Sequence, residues 1–204
     1  MSTRNLSLLI ILGIIVVLGG CVGCGTISFQ KKAVQLDESV KGAWGKVESQ
    51  YQRRSDLIPN LVNIVKGAAN FEQETLTKVI EARAKATSVN IDANNLSPDK
   101  LAQFQQAQGQ LSSSLSKLLV VAEAYPQLKA NQNFLDLQAQ LEGTENRIAV
   151  ARNDFNTAVL GYNSTIRQFP NNFYSGWLGF KDKPYFAAEA GASQSPKIDP
   201  NAFK

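Results

Sequence analysis

The sequence predicts an all-α protein, in which an N-terminal transmembrane helix precedes an antiparallel bundle of long, heptad-patterned helices. Two observations support this prediction. An uncharged apolar run lies near the N-terminus, and apolar residues then recur in alternating steps of three and four along most of the chain. Such steps place side chains on one face of a helix, as in a coiled coil. A length of 204 residues suits one such domain with appendages.

The uncharged run begins at Leu6 and ends at Gly25, and it carries no charged side chain over its 20 residues. A helix of that length extends for about 30 Å, which matches the hydrocarbon core of a bilayer. We therefore expect the lipid bilayer to be a partner of this run, within an anchor that covers residues 1–30. Domain boundaries then follow at residues 36–186 for the bundle and 187–204 for a disordered tail.

A cleaved lipoprotein signal is the alternative to an uncleaved anchor. The tetrapeptide LGGC, which ends at Cys21, resembles a lipobox, and cleavage before Cys21 would leave a lipidated N-terminus. Lysines 31, 32, 41 and 46 follow the run, while only Arg4 and the terminal amine precede it. The positive-inside rule therefore favours the uncleaved helix and a cytoplasmic bundle. Both alternatives tether the chain to a membrane.

Three long helices are predicted after a short connector. Asp37 is expected to cap the first, whose seam runs through Trp44, Tyr51 and Ile58 and whose helical character continues to about residue 86. The second begins at Ser97 and Pro98, a favourable N-cap followed by proline at the first helical position. The third spans residues 134–169, with an aromatic or branched residue at every seventh position. We expect the aromatic residues after this helix to fold back over one end of the bundle; docking onto a partner or onto the membrane interface is the alternative.

Composition excludes most kinds of active site. The chain contains no histidine, and its two cysteines, Cys21 and Cys24, lie near the N-terminus. Ser-His-Asp and Cys-His catalysis are therefore excluded, as is the Glu-x-x-His motif of di-iron bundles. The sequence also lacks a Gly-rich phosphate loop and a dinucleotide fingerprint. We expect no enzyme activity, no catalytic residue, no cofactor and no metal.

The formal charge of +4 does not indicate a nucleic-acid partner. Lysine, arginine, aspartate and glutamate are interleaved along the chain and form no basic block. Nucleic-acid binding usually needs basic residues clustered on one face. We therefore expect a mildly basic, solvated surface. Self-association through exposed helix faces stays open, and the sequence fixes no number of subunits.

One stretch, YQRRSDLIPNLVNIVKG (residues 51–67), interrupts the apolar seam with charge and with proline. Arg54 occupies a seam position, where an unpaired charge is strongly unfavourable. We expect it to meet Glu145 or Glu142 of the third helix in a structural polar layer; a pocket for a small ligand or peptide is the alternative. Pro59 removes the backbone bond to Ser55 and is expected to bend the first helix.

The same stretch begins a resemblance to a known family. It is followed by EARAKA, LSKLLVVAEAYPQLKANQNF and LQAQLEGTENRIAVAR, in the order and spacing of the LemA family of bacterial membrane proteins, which the chain resembles over residues 40–186. A departure occurs at Ala68 and Ala69, which replace an aromatic-containing run of the family. The resemblance implies a single-pass anchor in the bacterial plasma (inner) membrane and a helical bundle, and it supplies no catalytic mechanism.

Residues matching the family signature extend the candidate polar layer on the first and third helices. The resemblance also places Arg83 and Asn156 among the signature positions, without a role. We interpret the chain as a non-enzymatic membrane-anchored scaffold or regulator with unidentified protein partners. The candidate structural or partner-binding layer comprises Arg53, Arg54, Asp56, Pro59, Asn60, Glu142, Glu145, Asn146 and Arg147.

Overall fold

A computed structural model describes residues 3–68 and 71–187 of the chain, except that in its first helix the side chains of residues 3–11, 15, 18, 19, 21 and 22 are outside the description. Every regular element within these residues is helical, which confirms the all-α prediction. The helices are α1 (Thr3–Lys66), α2 (Gln73–Ser88), α3 (Pro98–Ala122), α4 (Pro126–Lys129), α5 (Gln132–Arg167) and α6 (Asn171–Leu178), and a 3₁₀ turn (Ala93–Asn95) lies between α2 and α3.

The first helix is longer at its start than the sequence pattern suggested. The predicted connector is helical, and the prediction that Asp37 caps a new helix is wrong, because Asp37 lies inside α1 and pairs with Lys41 one turn later. Residues 26–36 contain neither glycine nor proline, and Phe29, Ala33 and Leu36 continue the bundle seam in steps of four and three. Helix α1 is therefore continuous over 64 residues, which corresponds to about 96 Å of helix measured along its axis.

The first helix also ends earlier than predicted. Its last turn closes tightly at Gly67, whose N–H donates to the carbonyl of Ile64 at 3.1 Å. Helical structure resumes only at Gln73, so residues 73–88 form a separate helix, α2, and not an extension of α1. The described part of the chain therefore has four helices of at least 16 residues, α1, α2, α3 and α5, where three were predicted.

The other predicted boundaries agree closely with the structure. The side chain of Ser97 accepts a hydrogen bond from the N–H of Lys100 and caps α3, which begins with Pro98 as expected. Helix α5 is capped by Asn131 and ends at Arg167. It runs antiparallel to α1, since Trp44 packs against Phe155 while residue 54 meets residue 145.

The core is divided into two hydrophobic clusters along the bundle. An aromatic cluster lies toward the start of the bundle, and an aliphatic cluster lies toward the α1–α2 turn. The aromatic cluster includes Phe29, Trp44, Tyr51, Phe104, Phe155, Tyr162 and Phe186. The aliphatic cluster includes Ile58, Leu61, Val65, Val79, Leu111, Leu118, Phe134 and Leu141. Polar residues separate the two clusters.

The C-terminal aromatic residues fold back on the bundle, but only some of their rings are covered. Tyr174, Phe180 and Phe186 pack against the aromatic cluster. The rings that stay exposed are Phe169, Phe173, Trp177 and Tyr185. Gly179, with φ of 77°, ends α6 in the left-handed conformation that glycine adopts without strain. The predicted disordered tail lies outside the described residues from 188 onward.

The membrane anchor stays a prediction. Among the side chains that the structure describes, no helical stretch is both apolar and long enough to cross a bilayer. The uncharged run includes side chains outside that description, and the lipidation candidate Cys21 is one of them. Helix α1 passes through the predicted boundary between residues 30 and 36 without a break.

Candidate functional site

Arg54 lies between the two hydrophobic clusters and is only 2% exposed. Its Nη1 donates to both carboxylate oxygens of Glu145 in α5, at 3.0 and 2.8 Å. Glu145 is half exposed, with 51% of its side chain accessible. The ion pair therefore connects a buried cation to a carboxylate at the bundle surface, which lowers the desolvation cost of the pair.

Helix α3 supplies the remaining partners of Arg54. Its Nη1 also donates to the hydroxyl of Ser112 at 2.9 Å, and its Nη2 donates to the side-chain oxygen of Gln108 at 2.6 Å. The Ser112 hydroxyl in turn donates to Glu145 at 2.7 Å. We call Arg54, Gln108, Ser112 and Glu145 the Arg54 cluster. It joins α1, α3 and α5 at one level of the bundle.

The Gln108 amide extends this cluster to a fourth helix. Its nitrogen donates to the carbonyl of Ala86 in α2 at 3.4 Å, and the residue is buried. On the same side, Nε of Arg83 donates to the carbonyl of Ser55 at 2.9 Å. That carbonyl lies four residues before Pro59, which has no N–H to offer it. The polar layer thus connects all four long helices.

Most of the residues predicted for the polar layer lie on the protein surface. Of the nine candidates, only Arg54 and Glu145 contact each other in the core layer. The structure does not bring the other seven into this layer, because their positions around each helix turn their side chains toward solvent. The outward residues are Arg53, Asp56, Pro59, Asn60, Glu142, Asn146 and Arg147. Among them, Asp56 accepts from Gln52 and Glu142 accepts from Gln138, each one turn away.

Three partners in the layer were not assigned by sequence reasoning. Gln108 was identifiable, because it is a polar residue at a seam position of α3, as Arg54 is in α1. Arg83 carried a weaker signal, its place in the family signature. Ser112 carried no signal, because it lies one residue outside the seam and small polar residues are common on helix surfaces.

The terminal nitrogens of the Arg54 guanidinium are engaged by protein partners, while its Nε is buried without a hydrogen-bond partner in the described part of the chain. All four terminal N–H positions of the guanidinium face partners in α3 and α5. A surface groove of about 280 Å³ opens beside the cluster, and it is also lined by Gln105, Gly109 and Arg152. Within the described residues, no three His, Cys, Asp or Glu side chains are close enough together to hold a metal.

A second surface groove follows the contact between α1 and α5 on the outer side of the bundle. It consists of two adjoining parts, of about 350 and 520 Å³, which meet at Lys46 and Asp154. Residues with short side chains in both helices open the groove, and Val150 is 60% exposed within it. Asn146 and Arg147, two of the predicted candidates, line its first part.

Comparison with known proteins identifies the family to which the chain belongs. The sequence pattern that defines the LemA family matches residues 43–199, more than half of the chain. This chain belongs to the LemA family. The match covers the Arg54 cluster, all of α5, and Asn156 and Asn163, which bind the C-terminal segment.

Two kinds of relative are similar to this LemA-family chain. Magnetosome protein MamQ 2 of Paramagnetospirillum magneticum is 26% identical over 192 residues, which cover 84% of this chain and 69% of the relative. Protein LemA of Metamycoplasma hominis is 27% identical over 171 residues, which cover 83% of this chain and 73% of the relative. Magnetosome protein MamQ of Magnetospirillum gryphiswaldense is 24% identical over 192 residues, with coverage of 84% and 69%.

In this LemA-family structure the C-terminal segment, residues 181–187, is held by side-chain amides. Asn163 donates to the carbonyl of Lys183 and accepts from its N–H, at 2.8 and 2.9 Å. Asn156 does the same for Phe186, at 3.3 and 2.9 Å. The two asparagines are seven residues apart and therefore lie on one face of α5. Each binds main-chain atoms, so this contact does not depend on the side chains of Lys183 and Phe186.

A charged bridge fixes the same segment to α1. Nζ of Lys183 lies 2.7 Å from one oxygen of Asp37, and Lys41 lies 2.9 Å from the other. Although burial alone raises the pKa of Asp37, the hydrogen bonds from Lys183 and Lys41 bring it below its ordinary value. Lys183 also lies over the ring of Tyr162, 5.4 Å from its centre. Burial, with the nearby carboxylates Asp37 and Asp182, raises the pKa of Tyr162 to about 12.

Proposed function

We propose that this LemA-family chain is a non-enzymatic helical scaffold, anchored in the bacterial plasma membrane by its uncharged run and presenting its bundle to partner proteins. The observation that carries the proposal is the continuity of α1, which runs from Thr3 to Lys66. A single helix without a flexible linker holds a bundle at a fixed height and orientation. Such placement suits a protein that positions partners.

The anchor can be tested on the full chain in bacterial cells. Leu12→Arg combined with Val16→Arg places two charges in the uncharged run, each unfavourable by about 3 kcal/mol at the centre of a bilayer. We expect the wild type to stay in membranes after an alkaline carbonate wash and the double variant to be released. Equal retention of both proteins would contradict a transmembrane run.

The lipoprotein alternative has its own readout. Cys21→Ala removes the residue that a lipobox would modify, and we expect this variant to keep both its length and its membrane retention. Incorporation of labelled palmitate that disappears in Cys21→Ala would instead establish the lipoprotein. In that case the bundle is exported, because lipidation at a lipobox follows export.

The groove between α1 and α5 is the surface we propose for partner proteins. Exposed apolar atoms of Val150 lie beside the charged groups of Lys46, Arg147 and Asp154 along it. An apolar centre with a polar rim is the usual composition of a non-obligate interface. The groove extends along residues 39–50 of α1 and 146–158 of α5, while the guanidinium of Arg54 is engaged with α3 and α5.

Site-specific photocrosslinking in intact cells tests this surface. A photoreactive residue at position 150 should give discrete adducts of higher mass, while the same residue at position 120, also an exposed valine but in α3, should give none. An adduct at twice the mass of the chain would identify self-association. No adduct at either position, or equal adducts at both, would contradict a partner surface at this groove.

A further inference from the structure

We propose that the outer face of α6 inserts into the interfacial region of the bilayer that α1 enters, so that the protein contacts its membrane a second time. The inference rests on the proposed anchor and adds a second contact that the anchor alone does not require. The aromatic face is defined here as Phe173 and Trp177 of α6 together with Phe169, which lies two residues before the helix. Its proposed occupant is the headgroup and upper acyl region of a lipid bilayer.

The aromatic face is the most exposed group of large rings in the described part of the chain. Phe169, Phe173 and Trp177 are 81%, 74% and 77% exposed. Phe173 and Trp177 are four residues apart in α6 and therefore project from the same side of the helix. Tyr174 and Leu178 project from an adjacent side of the helix and pack on the aromatic cluster. Large exposed rings concentrated in one short segment indicate a surface that is covered in the functional state.

The position of α6 along α1 identifies what covers it. Tyr174 lies so close to Gly25 that a Cβ at this glycine would be 2.9 Å from the phenol oxygen. The ring of Phe29 then packs against Tyr174 and Phe180, with centroids 5.8 and 5.7 Å apart. Helix α6 is thus fixed at residues 25–29 of α1. Gly25 is the last residue of the uncharged run, so a membrane that holds the run has its surface at the level of α6.

The charges near this level complement a bacterial membrane surface. Lys31 and Lys32 are exposed on α1 just beyond Phe29, and Lys181 is exposed just after α6. Lysine near a membrane end places its ammonium among anionic headgroups while its stem lies along apolar surface. The nearest acidic group after α6, Asp182, is already paired with Arg167 at 2.7 Å. Tryptophan beside lysine is also the composition of interfacial anchors.

The two tryptophans of the chain allow a direct test. The full chain is reconstituted into vesicles of phosphatidylethanolamine and phosphatidylglycerol, made with ordinary or with brominated acyl chains, since bromine quenches tryptophan only at close range. Trp177 is on the proposed contact surface. Trp44 is 1% exposed and lies 19 residues beyond Gly25, which is about 28 Å along the helix. Trp177→Phe keeps an aromatic ring and serves as the matched control.

We expect wild-type emission to fall in brominated vesicles and the emission of Trp177→Phe to be the same in both kinds of vesicle. Each sample is also floated on a density gradient after an alkaline carbonate wash. If the protein floats with the vesicles but brominated chains do not quench the emission of the wild type, the second contact is overturned and the anchor is left intact. A face covered by a second copy or by residues 188–204 gives that same result. Protein released by the wash would overturn the anchor and this inference with it.

Discussion

Nε of Arg83 in α2 lies 2.9 Å from the backbone carbonyl of Ser55 in α1 and donates a hydrogen bond to it. In an unbroken helix this carbonyl would accept from the N–H of residue 59, but residue 59 is proline. A side chain from a neighbouring helix therefore supplies the donor that α1 lacks. The proline and the arginine form one unit, although 24 positions separate them in the sequence.

This pairing predicts an energetic coupling between Pro59 and Arg83. Arg83→Met leaves the Ser55 carbonyl without its donor and should lower the free energy of unfolding by about 1–3 kcal/mol. In a Pro59→Ala background the new N–H can bond to Ser55, so the same replacement should cost about 1 kcal/mol less. Denaturant unfolding of the full chain in detergent micelles, followed by circular dichroism, measures the four proteins. Lys85→Met is the control, and additive effects of the two substitutions would contradict the coupling.

The Arg54 cluster predicts different roles for two neighbouring glutamates of α5. Glu145→Ala removes the carboxylate from a buried guanidinium and should lower the free energy of unfolding by about 2–3 kcal/mol. Glu142→Ala, one turn earlier on the exposed side, should change it by less than about 0.5 kcal/mol. The same unfolding measurement compares them. Similar losses for the two variants would mean that Glu145 does not stabilise Arg54.

Much of the fold follows from local patterns in the sequence. Helix α3 begins at Ser97 and Pro98 because a good N-cap and a proline at the first position both favour helix initiation there. The seven-residue repeat that ends near Arg167 produces the seam of α5, whose bulky members are buried against α1. The placement of Arg54 near Glu145 follows from the same seam, because a buried charge needs a partner at its own level.

The remaining features depend on contacts that no local pattern contains. The helical pattern continues past Gly67, yet α1 ends at Lys66. Helix α2 then packs against α3 and α1, because a separate helix can cover an apolar seam that a continued α1 would leave exposed. Residues 181–187 have no helical or strand period, because Asn156 and Asn163 bind their main chain and place no demand on most side chains. The hydrogen bonds of Ser112 to Arg54 and Glu145 also depend on how α3 packs against α1 and α5, which no local pattern contains.

The amide bridges of the C-terminal segment predict a specific loss of protection. The N–H of Lys183 donates to the Asn163 side chain, and the N–H of Phe186 donates to that of Asn156. Asn163→Ala should therefore speed hydrogen exchange at Lys183, and Asn156→Ala should speed it at Phe186, while α3 stays protected. Mass-spectrometric exchange of the full chain resolves both. Asn146→Ala, an exposed asparagine of the same helix, is the control, and unchanged exchange in both bridge variants would show that other contacts hold the segment.

The bridge between Asp37 and Lys183 predicts a pH-dependent part of the stability. Because the pKa of Asp37 is lower in the folded protein than in the unfolded chain, its contribution is fully present above the unfolded value of about 3.9 and is lost as the pH falls through the lower folded value. At neutral pH, Asp37→Asn should lower the free energy of unfolding by about 1 kcal/mol, since it removes the charge that faces Lys183 and Lys41. The difference from wild type should disappear once Asp37 is protonated in both states.

Glu38→Gln, which alters a more exposed carboxylate that also contacts Lys41, should cost less than about 0.5 kcal/mol. Unfolding curves from pH 7 down to about pH 2 span this window, and a cost of Asp37→Asn that does not change with pH would exclude the bridge as its source.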